Sequence, residues 1–309
     1  MLSPGTAFGL RPASLALAVA LAVLGAGCGG SGRTGDALAV VSSRDGDYAI
    51  YGMDADGSHQ GRLTEERGDL STVPGINFQL DPAWSPDGRR IAFASGREGT
   101  LDIFVMDASG EGARRLTTTR DDDSNPTWSP DGTEIAFHRG NDGHVFVMSA
   151  SGGPVRRLTK TLAPEREPAW SPDGRWIAYT RRSPGTPVRE IWLVHPDGSG
   201  AHGLTTFATA SFSPAWSPDS KTIAFAANRG GERYGIYAIG VDGKGLRTVS
   251  ESTEDAFEPA WSPDGETIAF ARDGAIVTID REGNETQITD ADDNDTSPAW
   301  NPAPTSSGE

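Results

Sequence analysis

The chain has one cysteine in 309 residues, Cys28, so neither an intrachain disulfide nor a cluster of thiolate metal ligands can form. Positive charge is scarce, with 27 Lys and Arg against 43 Asp and Glu. The resulting net charge of −16 excludes a generic nucleic-acid binder, whose footprint is basic. It would instead steer cationic partners or metal ions towards any concave acidic surface. Histidine is sparse as well: His59, His138, His144, His195 and His202 fall at non-equivalent places, which argues against an imidazole-based metal centre. No Gly-x-Ser-x-Gly elbow occurs, so a serine hydrolase domain is not expected. What is plentiful is glycine and proline, 39 and 21, as where many short strands are joined by tight turns.

The one long apolar run, Leu15 to Leu24, follows Arg11 and is too short to span a bilayer. It matches the apolar region of a secretory signal, which places the signal at residues 1–27. Gly25, Ala26 and Gly27 then lead to Cys28, and this stretch resembles the lipobox of bacterial lipoproteins, with its leucine, Leu24, one residue further back than usual. The resemblance implies lipidation of Cys28 and an extracytoplasmic, lipid-anchored protein, in the periplasm or on the outer cell surface. Residues 28–37 are expected to form a flexible tether and 303–309 a disordered tail.

Six tryptophans share one setting: Trp84, Trp128, Trp170, Trp216, Trp261 and Trp300, spaced by 44, 42, 46, 45 and 39 residues. That is the period of a four-stranded propeller blade. Each follows Pro-Ala, or Pro126-Thr127 at Trp128, and the first five continue as Ser-Pro-Asp, closed by Gly or, once, Ser220. Trp supplies apolar area to bury between blades, and Ser-Pro-Asp-Gly is turn chemistry. A second strand follows, Ile91-Ala92-Phe93 and its echoes, then a third such as Ile103-Phe104-Val105-Met106, apolar on both faces. A Gly-containing hairpin and a short polar strand, Arg115-Leu116-Thr117, complete the unit.

The chain ends decide the blade count. Leu38-Ala39-Val40 opens a unit with no Trp strand before it, and Pro298-Ala299-Trp300 is a Trp strand with nothing after it. Joined in one sheet they leave no open edge. The expected fold is therefore all-β: a six-bladed β-propeller of four-stranded blades over residues 38–302, closed by the C-terminal strand joining the N-terminal blade. The units resemble the TolB-type propeller repeat, Trp-Ser-Pro-Asp-Gly followed by Ile-Ala-Phe. The resemblance implies an isolated propeller of that family, since residues 29–37 leave no room for the α/β domain that precedes the propeller in TolB.

Function is expected in the connection before each Trp strand, because loops on a rigid scaffold carry it. These connections hold Asp121, Asp122, Asp123, Glu165, Glu167, Glu254, Asp255, Glu258, Asp292, Asp293 and Asp295. The repeat gathers them around the channel mouth, where they would bind an envelope protein or a basic peptide. The leading expectation is a monomeric, non-catalytic scaffold without catalytic residues, nucleic acid or cofactor; calcium in the acidic loops is the one cation considered. The alternative is an enzyme in the same mouth, of glycosidase, lyase or peptidase-like type. The turn Asp54-Ala55-Asp56-Gly57 lacks the spacing of a calcium loop and reads as a hairpin.

Overall fold

Each repeat forms a four-stranded antiparallel sheet, and six such sheets stand in a ring in a computed structural model of the chain. The structure describes residues 37–303 apart from 65–78, 141–142, 184, 187, 207–209, 230–232 and 252. The expected signal, Cys28, nearly all of its tether and the tail after Ala303 lie outside the described residues.

Blade I is composite: Thr296–Trp300, Leu38–Ser42, Ala49–Met53 and Gly61–Arg62, from channel to rim. Blade II runs Gln79–Trp84, Arg90–Ser95, Asp102–Asp107 and Arg114–Arg115. Blade III is Asp123–Trp128, Glu134–Arg139, His144–Ser149 and Val155–Arg157. Blade IV is Glu165–Trp170, Ile177–Arg182, Arg189–Val194 and His202–Gly203. Blade V is Ser211–Trp216, Thr222–Ala227, Gly235–Gly240 and Arg247–Ser250, and blade VI is Ala256–Trp261, Thr267–Arg272, Ala275–Asp280 and Glu285–Gln287. The ring closes as expected, with Leu38 opposite Trp300, Ala39 opposite Ala299, and the Asn301 N–H donating to the Ala37 carbonyl at 2.8 Å.

The core is six seams between neighbouring blades, and the Ile-Ala-Phe alternation builds them. Ile91 and Phe93 face blade I, packing with Ala39, Ile50 and Leu63, while Ala92 between them faces blade III and Trp128. The large side chains of one sheet thus meet the small ones of the next, which lets flat faces interdigitate. The Trp side chains also stitch seams by hydrogen bonds: the indole N–H groups of Trp84, Trp128, Trp216 and Trp300 donate to the carbonyls of Ala299, Ala83, Ala169 and Ala260 at 2.9–3.1 Å.

Within each blade two local devices recur. In the Ser-Pro-Asp-Gly turn the Ser85 hydroxyl donates to Asp87 and accepts from the Arg90 N–H, and Gly88 takes φ +66°, the left-handed region its turn requires. At the rim a threonine hydroxyl accepts an N–H near the start of the third strand. Thr64, Thr117, Thr159, Thr205 and Thr289 do this for Ile50, Ile103, Val145, Ile191 and Ile276 at 2.9–3.1 Å. Blade V has Ser250 at this place. Because neighbouring strands are antiparallel, the Ser-Pro-Asp-Gly turns share one face of the ring with the hairpins between third and fourth strands. The connections between blades share the other face.

Candidate functional site: the central channel

Every innermost strand carries a bulge at the same place. Its pairing with the second strand skips from Leu80 to Ala83, Ser124 to Thr127, Arg166 to Ala169, Phe212 to Ala215 and Phe257 to Ala260. Blade I has a shift at the corresponding place, between Ala39 and Val41. The skipped pair is always a residue followed by proline, which has no N–H to give the ladder. The residue before proline sits at φ +50° to +54°: Asp81, Asn125, Glu167, Ser213, Glu258 and Ser297. The bulge brings this residue to the channel. Those six residues and their prolines line a cavity of about 210 Å³ on the ring axis.

Around the axis, carboxylates and small polar groups alternate, so the six-bladed ring carries a pseudo-threefold site. Asp81, Glu167 and Glu258 each accept the N–H of the next blade's bulge residue: Asn125 at 3.2 Å, Ser213 at 2.8 Å and Ser297 at 2.7 Å. Asn and Asp tolerate a left-handed backbone; glutamate has no such excuse, and strain of this kind costs roughly 1–3 kcal/mol per residue. Two of the three acidic positions are held against that cost.

The three carboxyls sit where charge is expensive. Burial, then repulsion by Glu258 and Glu167, pushes Asp81 up to about 7, against the pull of the Asn125 N–H. Burial also raises Glu167 and Glu258. Glu167 has cations near it, Arg189 at 3.9 Å and Arg166. Among the described residues no cation contributes to Asp81 or Glu258. Beside this arginine pair His138 is pushed down to about 4, chiefly by burial and then by Arg166 and Arg189, so it is neutral near pH 7.

The acidic residues expected at the mouth divide into four groups. Glu167 and Glu258 line the channel. Asp123, Glu165 and Asp295 are fully buried: Asp123 is gripped by Arg139 at 2.7 and 2.8 Å, Glu165 meets His144 at 3.1 Å and Thr161 at 2.7 Å, and Asp295 meets Arg44 at 2.9 Å. Asp123 and Asp295 tie the inner strand to the second strand or the loop beyond it, and Glu165 ties the inner strand of blade IV to the third strand of blade III and the connection that follows. Asp121, Asp122, Glu254 and Asp292 are exposed on the connection face. Asp293 leans on Arg44 at 3.3 Å, and Asp255 accepts the Tyr234 N–H at 2.7 Å. Asp81, Asn125, Ser213 and Ser297 were missed by the sequence reading. Their signal is a column three residues before each Trp, visible once the repeats are stacked.

The Asp54–Gly57 turn is a hairpin, closed by the Gly57 N–H on the Asp54 carbonyl at 3.0 Å. Of the histidines, His195 stacks on Trp176, with His202 against the ring edge. Among the described residues no group of three or more His, Cys, Asp or Glu side chains is placed to hold a metal ion.

A family model described as the TolB beta propeller domain matches residues 64–206 and 166–275. Among curated proteins, the Tol-Pal system protein TolB of Syntrophus aciditrophicus is 47% identical over 51 residues, 16% of this chain and 11% of that protein. The chain thus matches only about a tenth of that relative's length. Among solved structures, TolB from Acinetobacter baumannii superposes with a TM-score of 0.73 at 21% identity, covering 86% of this chain and 66% of that one. An oligogalacturonate lyase in complex with manganese shares the fold with a TM-score of 0.57 at 16% identity, over 81% of this chain and 73% of that one.

Proposed function

Because the chain belongs to the TolB beta-propeller family, we propose that it is a non-catalytic binding propeller whose central channel receives a cationic group from a partner protein. The observation that carries this reading is the alternation of Asp81, Glu167 and Glu258 around one axis, two of them with no cation beside them among the described residues. Asp81 and Glu258 each have one oxygen engaged by the next blade, which leaves the other to accept from a ligand, while the second oxygen of Glu167 faces Arg189 at 3.9 Å. A lysine ammonium has three donors and an arginine guanidinium five, and either satisfies acceptors converging on an axis. The exposed acids Asp121, Asp122, Glu254 and Asp292 extend the negative field outside the channel and speed the encounter.

In this reading the protein acts outside the cytoplasm, held to a bacterial membrane by lipid on Cys28. The TolB family and the signal-like run Leu15–Leu24 support that placement. Calcium is a weaker occupant, since no three metal-ligating side chains converge among the described residues. A glycosidase or lyase reading would need two carboxyls made unlike by their surroundings. The three channel carboxyls are all raised by burial, and only at Glu167 do Arg189 and Arg166 oppose it.

The test is cross-linked capture from intact envelopes with the wild-type chain and with Asp81→Asn/Glu167→Gln/Glu258→Gln. Loss of the captured partner from the folded variant is expected. Capture undiminished by neutralising all three would remove the channel from the reading. Separately, Cys28→Ala should release the protein into the soluble fraction; persistent membrane attachment would point to another anchor.

A further inference from the structure

One seam of the ring is built differently from the other five. At the closed seams an aliphatic side chain of the fourth strand region, Leu63, Leu116, Leu158, Leu204 or Ile288, lies against the hairpin of the following blade. The fit at the hairpin glycines is graded: a Cβ added to Gly110 would stand 2.0 Å from the Leu63 carbonyl oxygen and one on Gly57 1.9 Å from that of Ile288, while on Gly198, Gly152 and Gly243 the nearest approaches are 3.0, 3.6 and 4.0 Å. At the seam between blades V and VI the equivalent glycine, Gly283, has nothing within 4 Å of such an atom. The aliphatic residue there is the shorter Val249, and the pairing of the strand shifts register beside it. Ser250, in the place of the rim threonine, turns its hydroxyl across the seam to Glu285 at 2.5 Å and Arg272 at 2.6 Å.

The result is a cavity of about 580 Å³ opening on the face opposite the blade connections. Its floor is apolar, made by Val249, Trp261, Ile268 and Ile279. The Trp261 indole N–H is buried there without an acceptor, unlike those of Trp84, Trp128, Trp216 and Trp300. Trp170 shares that lack at a seam that Leu158 closes. Around the opening stand five carboxylates, Asp219, Asp264, Glu266, Asp280 and Glu282, against two guanidiniums, Arg247 and Arg281. Hydrogen bonds from Ser217, Ser262 and Asn284 hold Asp219, Asp264 and Asp280 below the usual carboxylate range, so these charges are permanent near pH 7.

We propose that this seam is a docking site for an extended segment of a partner protein that presents a leucine flanked by basic residues. The molecule itself shows what fits. At three closed seams the leucine follows an arginine, in Arg62-Leu63-Thr64, Arg115-Leu116-Thr117 and Arg157-Leu158-Thr159. A partner segment of this kind puts its leucine on Trp261 and Ile279 and sets its basic side chains among the surplus carboxylates. The site is separate from the channel and does not rest on the function proposed for it.

The test uses the full-length protein and a fluorescein-labelled octapeptide copying residues 154–161, Pro-Val-Arg-Arg-Leu-Thr-Lys-Thr. Fluorescence anisotropy should show saturable binding that weakens with salt. Replacing the peptide's leucine by alanine should weaken binding about tenfold or more, the worth of one buried aliphatic side chain. Val249→Phe should abolish binding by filling the cavity, and Val249→Leu should weaken it, each checked for a cooperative thermal transition. Asp81→Asn/Glu167→Gln/Glu258→Gln should bind the peptide as the wild type does. No saturable binding up to millimolar peptide, equal binding of the leucine and alanine peptides, or undiminished binding by both Val249 variants would overturn the proposal.

Discussion

Replacing Asp81 by Asn should stabilise the propeller at pH 8 and by only about a third as much at pH 5. The substitution keeps an oxygen to accept the Asn125 N–H at 3.2 Å, and Asn adopts the φ of +54° as readily as Asp. Only the charge goes. In the folded protein this carboxyl titrates at about 7; in the unfolded chain it titrates near 3.8. Between those values folding takes up a proton, so the wild type loses stability as pH rises from about 4 to 7 and stays at the lower level above. The rise from 3.8 to about 7, at about 1.36 kcal/mol per pH unit, sets a ceiling of about 4 kcal/mol. Solvent reaching Asp81 through the channel brings the expected gain of the variant at pH 8 to about 2–4 kcal/mol.

His138 works in the opposite direction. Its folded value of about 4 lies below its ordinary 6.5, so its contribution is present above that range and lost as pH falls through it. The wild-type profile alone therefore mixes two slopes, and the difference between wild type and variant isolates Asp81. Urea melts followed by circular dichroism at pH 5 and pH 8 measure that difference. A gain equal at both pH values, or a variant less stable at pH 8, would show that Asp81 is not a carboxyl forced to ionise in a buried ring.

Arg139→Ala strands the Asp123 carboxylate without its bidentate partner and should cost about 3–5 kcal/mol in a thermal melt. A loss under about 1 kcal/mol would mean that solvent reaches Asp123. Trp216→Phe gives up the hydrogen bond to the Ala169 carbonyl, whereas Trp261→Phe gives up none, so the first should be more destabilising by about 1 kcal/mol in urea. Deleting residues 296–309 uncovers the edge of Leu38–Ser42 and should produce self-association on size exclusion. A synthetic peptide of residues 293–303 should restore the monomer.

The architecture was legible because its signals are local and repeated. Trp-Ser-Pro-Asp-Gly marks the end of an inner strand whatever its neighbours do, and the orphan strands at Leu38 and Trp300 complement each other without further information. The channel was legible only in part. Glu167 and Glu258 stood out as acids, but Asp81 lay outside any acidic run, and Asn125, Ser213 and Ser297 carry no charge to draw the eye. What unites these six is a bulge forced by the following proline, a backbone property that composition hides. Asp123, Glu165 and Asp295 show the converse limit. Their charges are visible in sequence, while their partners Arg139, Arg44 and His144 come from a second strand, the loop beyond one, and the third strand of the preceding blade. The open seam is subtler still, since a valine for a leucine and a serine for a threonine are unremarkable until five intact seams stand beside it.

The pairing of Leu38 with Trp300 also bears on how the protein is made. The two strands are separated by nearly the whole propeller, yet blade I cannot complete itself until the later one arrives. At translation rates of about 5–20 residues per second, the ribosome takes roughly 10–50 s to pass from one to the other. Throughout that interval the edge of Leu38–Ser42 and the apolar side of blade VI await a partner, and a neighbouring nascent chain offers the same strand. Such a ring gains its resistance to unfolding at its last step, and its need for a chaperone should fall abruptly at that same step.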